Sequence, residues 1–198
     1  MSHKKRIFVE KRGIFDVESP KVLNEIKSIL PNIQSVKVFN IYDIFGLDES
    51  EFEKVVNNTF VDPVVDILHH ENPAKSIYFA TEFLPGQYDQ RADSAQQCIA
   101  LLTGNEKSTV RSGKLIELQG INEADLPKIK NLLINKVESQ EKNLEILEIP
   151  AEETPDKIKI YDDFNDFTTS QLQEFYNNHG FAFGFDDLQF IQDYFKSE

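Results

Sequence analysis

Apolar positions alternate with two different periods along this chain, and the switches between them predict its elements. Arg6-Ile-Phe-Val-Glu10 reads as a short β-strand. Ser19-Pro20 then has the form of an N-cap followed by a first helical residue, and Val22, Leu23, Ile26, Ile29 and Leu30 fall on one helical face. Ser35 to Phe45 is rich in β-branched and aromatic residues and reads as extended, with a bend near Asn40 as one option. Asp48-Glu-Ser-Glu51 is an acidic first turn ahead of a second helix through Phe52, Val55 and Val56. Phe60 to Leu68 reads as a strand at an edge, because Pro63 cannot donate to a ladder.

The same order then returns. Ser76 to Thr81 reads as a strand and Asp89 to Leu102 as a helix with Ala92, Ala95, Ile99 and Leu102 inward. Thr109 to Leu118 is extended, Asn122 to Asp125 opens a helix through Leu126, Ile129 and Leu133, and a last extended segment runs from Asn135–Val137 to near Ile149. An offset of about 74 positions places Ser35 on Thr109, Asp48 on Asn122 and Phe52 on Leu126. The expectation is an internal duplication, with repeats at about 5–70 and 75–149 in a domain spanning 1–149. Each repeat would be an α+β unit with an antiparallel sheet and its helices packed on one face. A pseudo-twofold pairing of the units would cover both apolar faces. Beyond it, Pro150 to Pro155 has the prolines and charge of a linker. Lys157–Tyr161 reads as a short strand, and two helices follow, one capped by Thr168–Ser170 and ended by His179-Gly180, the other starting at Asp186-Asp187. This 150–198 region has little core of its own and is expected to dock elsewhere. An end on an amphipathic helix gives the chain the look of a piece cut from a longer protein.

Composition narrows the function classes. The 198 residues carry a net charge of −13, which repels phosphate backbones, so neither nucleic acid nor an anionic membrane is expected as a partner. One cysteine, Cys98, forms no intrachain disulfide, and no apolar run approaches the ~20 residues of a membrane span. A soluble cytoplasmic protein is the expectation. No nucleotide-binding or metal motif is complete. His69-His70 point to opposite faces of a strand and make a poor metal pair. Cys98 is expected to be a core thiol, and His179 a cation at a helix C-terminus.

The richest stretch is Glu82-Phe-Leu-Pro-Gly-Gln-Tyr-Asp-Gln-Arg-Ala-Asp-Ser-Ala-Gln-Gln-Cys98. It places Gln87, Asp89, Gln90, Arg91, Asp93 and Ser94 at a strand-to-helix junction, where free N–H groups gather. One Asp or Ser would suffice as a cap. Composition and spacing leave two readings open: a local network in which Arg91 and the aspartates satisfy one another, or a surface presented to a partner domain or polar ligand.

That stretch resembles the N-terminal signature of the large, single-chain phosphoribosylformylglycinamidine (FGAM) synthases, ligases of purine biosynthesis. Arg6–Lys11, Tyr42–Leu47, Thr109–Lys114, Leu132–Val137 and Asp186–Phe190 agree with it, so the similarity covers the whole chain. The resemblance implies a fused pair of PurS-like units followed by a helical linker domain, with the ATP-dependent synthetase and the glutaminase domains of the same longer chain as partners. The family enzyme hydrolyses glutamine, moves the ammonia to a second site, and uses ATP to activate the amide oxygen of FGAR for displacement. The family's catalytic His, its ATP and Mg ligands, and its glutaminase Cys-His-Glu set have no counterpart here. The resemblance therefore implies a scaffold that couples the two centres, with no catalytic residue, cofactor or metal in this chain, and ATP and Mg belonging to the full-length enzyme. The six polar residues Gln87 to Ser94 become inter-domain contact candidates. Two alternatives remain: a stand-alone regulatory module of duplicated ferredoxin- or ACT-like units binding a small effector, and a small independent enzyme using Asp89, Arg91 and Asp93.

Overall fold

Ser35–Phe45 forms a central strand of eleven residues, β2, held on both sides. In the computed structural model, which describes residues 4–149 and 157–197, β2 is flanked by β1 (Lys4–Lys11) and by β5 (Thr109–Gln119). β3 (Asp66–His69) lies outside β1, while β4 (Ile77–Phe83) and then β6 (Ser139–Glu141) lie outside β5. All these pairings are antiparallel, so the first unit is α+β around one six-stranded sheet of order β3-β1-β2-β5-β4-β6. That order is unchanged when β1, β2 and β3 are exchanged with β4, β5 and β6. The seam is β2–β5, and at its middle Asn40 pairs with Lys114, the residue 74 positions after it.

Alternation along β2 sorts its residues between two faces. Val36, Val38, Tyr42 and Ile44 point to the helices, and Phe39 and Ile41 point away. One core packs α2 (Glu49–Val55), its π-helical continuation Val56–Phe60 and α3 (Gln90–Thr103) over β1, β2 and β5. The other packs α1 (Glu18–Lys27) and α4 (Leu126–Leu133) over β2, β4 and β5. Each core therefore takes one helix from each half of the unit. Ile26, Ile99 and Ile129 are fully buried, each contributing about 1.5–3 kcal/mol by leaving water. The halves meet edge to edge in one sheet instead of stacking to cover both faces, as the sequence suggested. The apolar residues of the second face, Phe8, Phe39, Ile41, Ala80 and Leu115, are packed by Ala74 and Leu144 from the chain's own loops.

Several boundaries differ from the sequence reading. Helix α1 begins one residue ahead of Ser19, which is buried inside its first turn; Asp16 Oδ1 accepts the Ser19 N–H at 3.0 Å. The edge strand shrinks to Asp66–His69 because Asp62-Pro63 folds into a turn in which Asp62 Oδ1 accepts the Val64 N–H. The last extended segment supplies only β6: Asn135 accepts the Ser139 N–H before it, and Asn143 Oδ1 accepts the Glu145 N–H after it.

Below the sheet, on the face away from the helices, charges are buried together. Arg6 reaches Asp43 at 2.5 Å and also donates to the carbonyls of Leu144 and Ile146, pinning that strap to the sheet. Lys142 bridges Asp43 at 2.9 Å and Glu82 at 2.6 Å, and Arg111 adds a contact to Glu82 at 3.5 Å. Lys142 crosses over Gly113, where an added Cβ would lie 2.5 Å from the Thr81 carbonyl oxygen. A side chain at 113 would push β4 away from β5.

The chain divides into two compact units, Met1–Pro150 and Ala151–Glu198. The expected linker at 150–155 falls outside the described residues. In the second unit, Lys157–Tyr161 is not a strand. Thr168 and Gln171 form a capping box for α5 (Thr169–His179), and Gly180 ends that helix in the left-handed region. Helix α6 (Phe185–Ser197) follows. Leu172 and Leu188 are buried between these helices, and Gln192 donates to the carbonyls of Phe164 and Phe167. Phe175 stands in a cluster with Tyr161, Phe164, Phe167, His179 and Phe181, so aromatic contact stands in for a larger aliphatic core.

Candidate functional site

The polar string between β4 and α3 separates into two sets. Asp89 is the N-cap of α3: Oδ1 accepts the Ala92 N–H at 2.9 Å and the Ser112 hydroxyl at 2.8 Å, and Oδ2 accepts the Ser112 N–H at 2.8 Å. Both oxygens tie helix to sheet. Asp93 Oδ2 accepts the Tyr88 hydroxyl at 2.9 Å and the Gln97 amide at 2.8 Å. The hydrogen bond to Asp93 holds the Tyr88 phenol above its ordinary pKa, since ionising it would place two negative charges side by side. Gln87 sits in the turn, its amide donating to the Val137 carbonyl at 3.4 Å. These three serve local structure.

Arg91, Gln90 and Ser94 are exposed and line a concavity on the helix side of the sheet. Arg91 pairs with neither aspartate. Its Nη1 donates to the Tyr42 hydroxyl at 3.2 Å, and among the described residues it makes no ion pair with a carboxylate. Desolvation pulls its pKa down, but the Tyr42 hydrogen bond and the nearby carboxylates of Glu18 and Asp89 outweigh it, so the guanidinium stays charged.

The concavity measures about 740 Å³, within the range of small-ligand sites. Its walls come from six elements: Tyr42 on β2, Thr59 on the π-helical turn, Thr81 and Phe83 on β4, Ser112 and Lys114 on β5, Ser139 on β6, and the first turns of α3 as far as Cys98. Lys114 also pairs with Glu18 at the start of α1. The Thr59 hydroxyl is buried and has no hydrogen-bond partner among the described residues.

Cys98 is exposed and belongs to this wall, not to the core as the sequence suggested. Ile99 takes the inward position of α3, and one helical step turns Cys98 onto its flank. Tyr42, Thr59 and Lys114 were missed by sequence reasoning because they stand on other elements. One signal was present. On the helix face of β5, Ser112 and Lys114 interrupt the apolar series Val110, Ile116, Leu118, and a polar pair there marks a place where no helix packs.

His69 lies on edge strand β3 with Nε2 3.0 Å from Glu10. His179 closes α5, with Nδ1 against the Phe175 carbonyl and Nε2 against the Tyr161 hydroxyl. Among the described residues, no group of three or more His, Cys, Asp or Glu is placed to hold a metal ion, and no helix is long and apolar enough to cross a membrane. No family model matches the chain, and no curated protein matches it.

Proposed function

We propose that this chain is the N-terminal scaffold of an FGAM synthase-type amidotransferase, a pair of fused PurS-like units followed by a linker domain, which holds the synthetase and glutaminase centres in register. The observation that carries this reading is the strand order β3-β1-β2-β5-β4-β6. It is the order expected when two β-α-β-α-β units join edge to edge, and the matched pair Asn40–Lys114 lies where a dyad between such units would fall. The Glu82–Cys98 string adds support, since Gln90, Arg91 and Ser94 remain turned outward after the local needs of α3 are met. In this role the chain binds no ATP or Mg itself, acts in the cytoplasm, and has the downstream domains of one polypeptide as partners.

Reading the open frame beyond the codon for Glu198 tests the proposal. Continuation into a synthetase domain with a Trp-Ser-Glu/Asp-His-Cys-type segment is the expected result. A stop codon directly after Glu198 would overturn it and leave the stand-alone effector-binding module. That second reading draws its support from the concavity described above.

A further inference from the structure

We propose that the concavity between α3 and the sheet centre is a binding site for a small organic phosphate, with Arg91 as its principal anion contact. The inference stands on the cavity alone and holds whether or not the chain belongs to an amidotransferase.

Charge is the first argument. The chain has a net charge of −13, and Arg6 and Arg111 both pair with carboxylates. Arg91 instead leans on the Tyr42 hydroxyl at the rim of a cavity. One hydrogen bond to Tyr42 leaves most of its five donors unused, in a planar fork that suits an oxyanion. Lys114 supplies a second cation, and its salt bridge to Glu18 holds it at the wall.

Hydroxyls are the second argument. Ser94, one helical turn on from Arg91, and Thr81 present hydroxyls on the walls. Hydroxyls around a guanidinium match a tetrahedral anion with several acceptor oxygens better than a planar carboxylate with two. Size is the third. About 740 Å³ is far more than a bare ion fills, and Phe83, Tyr88 and Ala95 give the remaining volume apolar walls against which the body of a ligand can pack.

Isothermal titration of the 198-residue chain with phenyl phosphate, inorganic phosphate and succinate, at matched ionic strength, is the test. Phenyl phosphate is expected to bind with a submillimolar Kd and at least tenfold more tightly than the other two. Arg91→Gln should weaken it about tenfold or more, as loss of a charge-assisted contact does, and Ser94→Ala about threefold. Lys128→Gln, which removes the same charge from an exposed position outside the cavity, should stay within about twofold by screening. Circular dichroism melts keep the comparison to folded variants, and Ser94→Ala carries the test if Arg91→Gln does not fold. Absence of binding by all three probes overturns the proposal. So does inorganic phosphate binding as tightly as phenyl phosphate, which would mean an adventitious ion only, or succinate binding most tightly. Equal losses for Arg91→Gln and Lys128→Gln would overturn the assignment of Arg91.

Discussion

The two strand-to-helix junctions of the first unit solve one problem with different groups. Where β1 ends its pairing with β2, the Val38 N–H is left facing the start of α1, and the Ser19 hydroxyl accepts it at 2.9 Å. Where β4 ends its pairing with β5, Ser112 stands in the same situation, 74 positions after Val38, and Asp89 Oδ2 accepts its N–H at 2.8 Å. In the first junction the tasks are divided, since Asp16 accepts from the first turn and Ser19 from the strand. In the second, one aspartate does both. Residues on from Asp89 are thereby free of capping duty, and Gln90, Arg91 and Ser94 face the concavity. A polar residue at a helix start is thus evidence of a site only after the strand's own unmet N–H groups have been counted.

The same comparison extends to the opposite face. Glu82, Arg111 and Lys142 form one charged group; Glu10, Lys37 and His69, which precede them by 72, 74 and 73 positions, form another. The first is nearly dry and shares Lys142 with Asp43, whereas Lys37 in the second is half in water. Asp43→Ala should therefore destabilise the protein most, by about 3–5 kcal/mol, because Arg6 and Lys142 would stay buried with a lost partner. Lys37→Ala should cost less than about 1 kcal/mol, as exposed pairs do. Urea denaturation of both variants measures the gap, and equal costs would break the comparison.

At the junctions, Asp89→Ala should cost about 2–4 kcal/mol, a lost cap together with an orphaned strand N–H. Ser19→Ala should cost about 1–2 kcal/mol, the orphaned N–H alone. Thermal unfolding of the two variants and the double variant gives the ordering; a Ser19 cost equal to that of Asp89 would remove the distinction between divided and combined duty.

Acid should act on the outer group. Burial pushes the Glu10 carboxyl up, but hydrogen bonds from Lys37 and His69 outweigh it and hold its pKa below the usual 4.5. A depressed pKa stabilises the fold above the unfolded value and is lost as pH falls through the folded one. Stability should decline below about pH 4.5, and Glu10→Gln should flatten that decline in melts taken between pH 5 and 3, a range chosen around the usual carboxylate pKa. The smallest effect belongs to Arg91→Gln, expected within about 0.5 kcal/mol of wild type in the same melts, since it is exposed and makes no ion pair among the described residues.

Much of the framework was legible from local pattern. The β-branched run Ser35–Phe45 became β2 with the same limits, and the acidic run Asp48–Glu51 caps and opens α2 as its first turn. What failed was decided by partners distant in sequence. Ser-Pro looks like a cap from within its own turn; that Ser19 is needed by Val38 shows only once β2 is in place. Cys98 flanks the apolar stripe of α3, and which flank is covered depends on where α2 ends. The ion group below the sheet joins residues from positions 6 to 142 and left no local trace. The candidate site was half legible, its helix wall evident in Asp89–Ser94 and its strand wall hidden.

The seam between β2 and β5 also sets a schedule for synthesis. Phe45 and Thr109, the pair closest in sequence, lie 64 residues apart, and Ser35 and Gln119 lie 84 apart. Each core draws a helix from either side of that seam. On a ribosome, the first half must wait with a long, unpaired apolar strand edge until β5 emerges, a state open to pairing with a neighbouring nascent chain. Because the seam accepts one half of each kind, two chains caught at that stage have a ready geometry for exchanging halves.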